Sequence, residues 1–244
     1  MFANNPLEQF DVIIISTLYK NFAFTNFTFM MMINFLIVIF LFKSFQSVFS
    51  LNSLEYIIKL SFNFIKDVLK NNISIKKYSF IFLFYFVFLF ILISNLMGMT
   101  PYSITITSHL IFTLFYSLAF FIGTNLIGVL YHKEKYFQLF LPDGLPLFII
   151  PLLIVIEYIS YFSRILSLSI RLFANMMSGH ILMKILIGFV WSIFSAGSIW
   201  LILSFVPFAI IFCVTGLEFV IAFLQAYVFI VLLSIYLNDV INLH

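Results

Sequence analysis

Ionisable side chains recur inside the long apolar stretch that forms the C-terminal part of this 244-residue chain. A charged group at the centre of a bilayer costs several kcal/mol unless it faces water or a partner, so such groups mark ion pathways by default. The ionisable side chains between positions 147 and 225 are Glu157, Arg164, Arg171, His180, Lys184 and Glu218.

The spacing of these residues arranges acid–base groups on both sides of one arginine. Glu157, Arg164 and Arg171 are seven residues apart, so they share one helix face with a drift of only ~20° per step. His180 lies two and a half turns beyond Arg171 and points the other way, ~13–14 Å along the axis. Glu157 lies ~21 Å from Arg171 in the opposite direction.

A second apolar arm repeats this pattern, because Glu218, Gln225 and Asp239 fall on one heptad stripe. Carboxylates and histidine can pass protons near neutral pH, whereas arginine stays protonated. We therefore expect Arg171 to be a permanent positive barrier between two proton-relaying regions. The chain has no mobile carboxylate to carry a proton around that barrier, so we expect one from another subunit.

The composition excludes a water-soluble protein. Hydrophobic residues make up 64% of the chain and charged residues 9%, against roughly half and a quarter in soluble domains. The apolar stretches are continuous, which favours helices over a barrel. The net charge of +3 is small and spread over loops, so no nucleic-acid partner is expected. The acidic Glu8 near the start predicts no secretory signal.

The predicted fold is an all-α polytopic membrane protein, a single membrane domain over 1–244 with about five membrane-embedded helices. Five long apolar segments and one amphipathic segment, with lysines on its polar face, support this architecture. The predicted elements are a first span at 24–42, an interfacial helix at 51–70, second and third spans within 78–131, and a long hairpin at 147–242.

The hairpin is expected to tilt steeply. Its first arm runs from Leu147 to about Leu186 with Gly179 as a late helix breaker. Such a helix would reach ~55–60 Å, nearly twice the hydrocarbon thickness, so it must tilt steeply or lie nearly within the membrane plane. The second arm starts near Phe189, and Pro207 predicts a kink in it.

The lysines predict the topology. By the positive-inside rule, the N-terminus lies outside and the lysine-rich segment after the first span lies inside, with Lys20 as the exception. The lysines assigned to the inside are Lys43, Lys59, Lys66, Lys70, Lys76, Lys77, Lys133 and Lys135.

The segment Ser169 to His180, SIRLFANMMSGH, resembles the signature of subunit a of F-type ATP synthases. The segment from Leu217 to Val228 is similar to the second signature of that family. The start, NPLEQF at 5–10, is like the mitochondrial form. The resemblance extends over essentially the whole chain, and the two hairpin signatures together are highly specific.

This resemblance implies a stator subunit that moves H⁺ past a rotor ring of small hairpin c subunits. Arg171 matches the essential arginine that faces the ring, and Asn175 and Gln225 match its polar neighbours. The other partners implied are further stator and membrane subunits and lipids, and no cofactor or metal is expected. The implied location is the mitochondrial inner membrane, with a bacterial plasma membrane as the alternative.

The resemblance also implies two offset half-channels. His180 and Glu218 match the half-channel from which protons enter during synthesis. Glu157 and Asp239 match the exit on the matrix side. The subunit would be a non-catalytic part of the enzyme complex.

Several residues keep a second interpretation. Arg164, a secondary candidate for the pathway, could equally form a structural ion pair with Glu157, and Asp239 could simply be solvated. Lys184 is expected to snorkel to the interface. His109 and His132 lie near segment ends, which favours capping or interfacial roles.

Three other classes of protein compete with this reading. A redox subunit needs clustered histidines, whereas the four histidines lie on separate elements. A secondary transporter usually has internal repeats, and the sequence has none that we detect. A structural anchor leaves the polar stripes unexplained.

Overall fold

The structure, a computed structural model, describes residues 9–19, 22–46, 53–72, 80–100, 104–133, 136, 150–195 and 204–241. Within these ranges it contains six α-helices, a short 3₁₀ helix at Ile106–Ser108 and one β-hairpin. The helices are α1 Asn26–Gln46, α2 Ser53–Asn72, α3 Ile81–Gly98, α4 Leu110–His132, α5 Ile150–Ser195 and α6 Phe205–Ile241.

The all-α polytopic membrane class is confirmed. Five of the described helices, α1, α3, α4, α5 and α6, are long and apolar enough to cross a bilayer. Continuous apolar sequence forms helices there because only an internally hydrogen-bonded backbone is stable in lipid. Four lysines of the topology prediction, Lys20, Lys76, Lys77 and Lys135, lie outside the described residues.

The first span begins after a β-hairpin that the sequence analysis did not anticipate. Strand β1, Ile14–Tyr19, pairs antiparallel with β2, Phe22–Thr25, which covers the first residues of the span predicted at 24–42. The Thr28 backbone N–H donates to Thr25 Oγ1 at 3.3 Å, and Thr28 Oγ1 donates to the Thr25 carbonyl at 2.7 Å. This threonine pair caps α1 and explains why the helix starts at Asn26.

The amphipathic helix α2 packs through its apolar stripe. Ile58 and Ile65 are buried, while Lys59 and Asp67 on the opposite side are exposed. The Tyr85 hydroxyl of α3 donates to the Ile58 carbonyl at 3.2 Å, which ties α2 to α3.

The two long C-terminal helices differ in detail from the sequence expectation. At ~1.5 Å per residue, the 46 residues of α5 measure ~69 Å, and the helix continues through Gly188 to Ser195. Pro207 lies in the first turn of α6 and not at a kink. A proline is tolerated in a first helical turn because N–H groups there have no intrahelical acceptor.

The described residues pack as two compact units, each built from three separated stretches of the chain. The first unit comprises described residues of Met1–Phe40, Leu89–His109 and Leu172–Ala226. The second unit comprises those of Leu41–Phe88, Leu110–Arg171 and Tyr227–His244. Helices α3, α5 and α6 each contribute one part to one unit and the remainder to the other.

Candidate functional site

In the first unit, the Glu218 side chain of α6 lies directly against the backbone of α5. A Cβ atom placed on Gly179 would be only 2.6 Å from Glu218 Oε1, so the contact depends on the missing side chain. Glu218 Oε1 is buried and has no hydrogen-bond partner among the described residues. The carboxylate is therefore held close to α5 by packing and not by a donor.

His180 follows Gly179 directly in α5 and is half-buried. Its Nε2 is 3.7 Å from the position that a Cβ on Gly98 would occupy. The Phe10 ring packs edge-on against the imidazole, with the ring centroids 6.4 Å apart. The glycine that Glu218 contacts and the histidine predicted for the entry side are thus consecutive residues of α5.

Asn95 of α3 is fully buried and joins three elements of the first unit. Its Nδ2 donates to the Ala222 carbonyl of α6 at 3.3 Å, and its Oδ1 accepts from Thr107 Oγ1 at 3.0 Å. Ala222 is itself fully buried, and its small side chain permits this close approach. The sequence analysis assigned Asn95 no role, although an amide within an apolar span was a usable signal.

Buried polar atoms without protein partners are concentrated in the first unit. Among the described residues they include both side-chain polar atoms of Asn34, Thr105 Oγ1, His109 Nε2 and Glu218 Oε1. Buried polar groups are nearly always satisfied by protein or by ordered water. These four side chains are therefore the places in the unit where hydration is expected.

Asn175 and Gln225 pair with each other in the first unit. Asn175 Nδ2 of α5 donates to Gln225 Oε1 of α6 at 3.0 Å. Gln225 is buried, while Asn175 is exposed. The bond cross-links the two long helices one turn beyond Arg171.

In the second unit, Arg164 engages two carboxylates at once. Its NH2 atom is 4.0 Å from Glu157 Oε1 on α5, and its NH1 atom is 3.8 Å from Asp239 Oδ2 on α6. The guanidinium carbon also lies 5.6 Å from the centroid of the Tyr236 ring. The ion pair that sequence spacing allowed is therefore present, and it includes a second acid.

Arg171 is the last α5 residue of the second unit and is half-buried. Among the described residues of this unit, no carboxylate lies within ion-pair distance of its guanidinium. Tyr236 lies within electrostatic reach of both Arg164 and Arg171. Arg171 thus differs from Arg164 in having no acid from its own unit.

A hydroxyl–amide cluster supports the turn of α5 between Glu157 and Arg164. The hydroxyls of Tyr136 and Tyr161 both donate to Asn125 Oδ1 of α4, and the two hydroxyl oxygens are 3.1 Å apart. Tyr136 is accommodated because Gly128 has no Cβ, which would lie 2.5 Å from its ring. The sequence analysis did not find this cluster, because its members are far apart in the chain.

The two histidines at segment ends have structural surroundings. His132 Nε2 lies 2.8 Å from the Ile241 carbonyl at the end of α6. His109 precedes α4, and its ring packs edge-on against Phe27 with the centroids 5.0 Å apart. Burial lowers the pKa of His109 below its ordinary value of 6.5. Within the described ranges, no cluster of His, Cys, Asp or Glu could hold a metal ion.

Comparison with known proteins identifies the family. The ATP synthase A chain family matches residues 24–238. The chain is 45% identical to ATP synthase subunit a of Chondrus crispus, over 98% of this chain and 97% of the relative. It is 44% identical to the Marchantia polymorpha subunit over 99% and 100%, and 41% identical to the Pelagibacter ubique subunit over 99% of each.

The chain belongs to the ATP synthase A chain family.

The resemblance found in the sequence signatures is thus confirmed, and the chain is a multi-pass membrane subunit of an ATP synthase and not a catalytic one. The ATP synthase A chain match contains Arg171, His180 and Glu218 and ends one residue before Asp239. Full-length relatives include a bacterial one, so the family alone does not single out one membrane.

Proposed function

We propose that this chain is the stationary proton channel of the ATP synthase membrane sector, with two half-channels separated by Arg171. Protons enter by Glu218 and His180 and neutralise a carboxylate on a rotor ring of c subunits. After ring rotation they leave by Glu157 and Asp239. The observation that carries the proposal is that the two residues proposed for each half-channel lie in the same unit. Glu218 and His180 lie in the first unit, and Glu157 and Asp239 lie in the second.

The entry assignment is supported by the state of the Glu218 carboxylate. Among the described residues, one of its oxygens is buried without a protein donor, and Asn34, Thr105 and His109 of the same unit also have buried polar atoms without partners. Such groups are suited to ordered water, and a hydrated acid in the same unit as a histidine can relay protons with it through water.

The exit assignment is supported by the exposure of the acids in the second unit. The Glu157 side chain is 35% exposed and the Asp239 side chain 47% exposed. Two accessible carboxylates on adjoining helices can hand a proton to water.

The barrier assignment rests on the chemistry of Arg171. A guanidinium does not release its proton, and Arg171 has no acid partner among the described residues of its own unit. An unpaired buried cation is costly in lipid, so a carboxylate of another subunit is its natural counter-charge. We propose that the ring supplies it, with Asn175 and Gln225 completing this region and the other stator and membrane subunits holding it in place.

We propose the mitochondrial inner membrane as the location, because the N-terminal sequence resembles the mitochondrial form. Fractionation of the source cells with an antibody to this chain tests it. Recovery with mitochondrial membranes is expected, and recovery with a plasma membrane contradicts the assignment.

The barrier is tested by replacing Arg171 with alanine in the assembled complex. ATP-driven proton pumping and coupled ATP synthesis should both be lost, because the two half-channels would no longer be separated. Lys184→Gln, which removes another cation from α5, is the control and should retain both activities. Coupled synthesis in the Arg171→Ala complex would contradict the proposal.

The ring partner is tested by cross-linking. Cys213 is the only cysteine of the chain and is exposed, so Cys213→Ser gives a thiol-free background. In it, Ala174→Cys on the exposed face of α5 should cross-link to a cysteine placed next to the ring carboxylate. Tyr56→Cys, at an exposed position of α2, is the control and should not. Equal cross-linking at both positions would contradict the ring contact.

A further inference from the structure

The Arg164 side chain stands between two acids that the proposed pathway uses in sequence. We infer that Arg164 is a positioning residue of the exit, whose single fixed charge neutralises one of the two carboxylates and leaves the other to take up one proton. This inference rests on the proposed function, since it assumes that Glu157 and Asp239 lie on the exit path.

The geometry distributes one cation over two helices. The two terminal nitrogens of Arg164 point to different acids, NH2 to Glu157 at 4.0 Å and NH1 to Asp239 at 3.8 Å. Both separations are longer than a hydrogen bond, so neither acid is locked to the cation. A small swing of the guanidinium can therefore strengthen one contact and weaken the other.

The ring of Tyr236 limits this swing. It lies on the same helix as Asp239, three residues earlier, and faces the guanidinium at 5.6 Å. An aromatic face attracts a guanidinium and supports its planar group. The cation is thus kept near both acids without a third charged partner.

The charge of the cluster follows from its members. Glu157 and Asp239 contribute two negative charges and Arg164 one positive charge, so the cluster carries one net negative charge. The ionisable groups around Arg164 are Glu157, Tyr161 and Arg171 on α5, Tyr236 and Asp239 on α6, and Tyr136 after α4. Arg171 is not counted, because it forms no ion pair with either of these acids. The Arg164 cluster of two carboxylates and one guanidinium therefore has room for one proton.

Substitutions that remove the cation or one acid change the net charge of the Arg164 cluster, and this change can be tested. In Arg164→Gln no cation balances the negative charges of the two carboxylates. A proton that enters is then retained, because it relieves the repulsion between them. In Asp239→Asn the remaining Glu157 is fully neutralised by Arg164, and the exit has no free acceptor. The double variant again contains one net negative charge.

The experiment measures proton conduction through the membrane sector, after removal of the catalytic sector from membranes that contain the assembled complex. We expect each single variant, Arg164→Gln and Asp239→Asn, to lower conduction by about tenfold, the size expected for coupled neighbouring groups. The double variant should conduct faster than either single variant. Lys70→Gln, which breaks an exposed ion pair with Asp67 at 3.7 Å, is the control and should conduct normally.

The outcomes separate the inference from the proposed function. If both single variants are slow and the double variant is no faster, Arg164 only ties α5 to α6, and the inference is wrong while the exit assignment stands. If Arg164→Gln, Asp239→Asn and Glu157→Gln all conduct normally, the exit assignment itself is wrong. Arg164→Lys, which keeps the charge but not the fork, should conduct better than Arg164→Gln at equal amounts of assembled complex; equality of the two would also overturn the inference.

Discussion

The acids that we propose for proton entry and for proton exit have opposite surroundings in the two units. In the second unit Glu157 and Asp239 share Arg164, and the Tyr161 hydroxyl is bonded to an amide. In the first unit the buried oxygen of Glu218 and the buried nitrogen of His109 have no hydrogen-bond partner in the part of the chain that the structure describes. The same helices α5 and α6 contribute to both arrangements.

This difference indicates what each unit requires. A paired group is satisfied without water and is held in place by charge, whereas an unpaired buried group needs water to be stable. The first unit therefore depends on shape and hydration, and the second on electrostatic balance. Substitutions that alter the space around the acid should affect proton conduction most in the first unit, and substitutions that alter charge should affect it most in the second.

The largest effect is expected at Gly179. In Gly179→Ala the new Cβ would stand 2.6 Å from Glu218 Oε1, and the flexible acid would move aside without unfolding the helix. Proton conduction should fall by about tenfold or more, since a shift of about 1 Å in a positioned group can cost this much. Gly188→Ala on the same helix meets nothing within 4 Å and is the matched control. Normal conduction in Gly179→Ala would show that the position of Glu218 is unimportant.

A smaller effect, on stability, is expected at Asn95. Asn95→Leu removes the bonds to Ala222 and Thr107. The Ala222 carbonyl keeps its helical partner within α6, but the buried Thr107 hydroxyl loses its acceptor. The cost should be about 1–3 kcal/mol, measured as a lower midpoint for thermal loss of the assembled complex in detergent. Thr100→Val, at an exposed residue, provides the comparison. An unchanged midpoint would mean that the amide is not a structural link.

The corresponding change in the second unit is Tyr136→Phe. It removes one hydroxyl from the cluster with Asn125 and Tyr161 but keeps the ring against Gly128. Because Tyr161 still bonds to Asn125, we expect a loss of only about 1 kcal/mol. The same thermal assay measures it, and a loss as large as that of Asn95→Leu would show that the remaining bond of Tyr161 does not compensate.

The smallest effect is a pH dependence at His109. Burial lowers the pKa of His109 in the folded protein, so the unfolded chain binds this proton more readily. The sign follows: stability is complete above pH 6.5 and decreases as the pH falls below 6.5 towards the folded pKa. His109→Gln should flatten this part of the profile of thermal midpoint against pH. If the thermal midpoint of the variant still falls with pH as steeply as that of the unchanged protein, another group causes the pH dependence.

Features of the fold and of the candidate site that depend on local composition could be predicted from the sequence. Apolar runs predicted the membrane-spanning helices, because lipid permits few alternatives to a helix. The isolated charges of these runs predicted the candidate residues, including Arg171, because a charge in lipid requires a function or a partner. The residue roles remain predictions until the variants are measured.

What the sequence could not supply depends on contacts between distant segments. The spacing of Glu157 and Arg164 suggested an ion pair, but nothing local indicated that Asp239 would share the same cation. Gly179 was read as a helix breaker, although it lies inside α5 and serves as a gap for Glu218. The β-hairpin before α1 was missed because its strand Phe22–Thr25 reads as the start of an apolar span.

The contact at Gly179 also has a genetic consequence. Every amino acid other than glycine carries a Cβ atom, so any missense change of this codon inserts an atom where a carboxylate oxygen already lies. Position 179 therefore has no conservative replacement, and even alanine is a severe change there. Inherited variants at this codon should behave as loss-of-function alleles, whereas Gly188→Ala, whose Cβ meets nothing within 4 Å, should be tolerated.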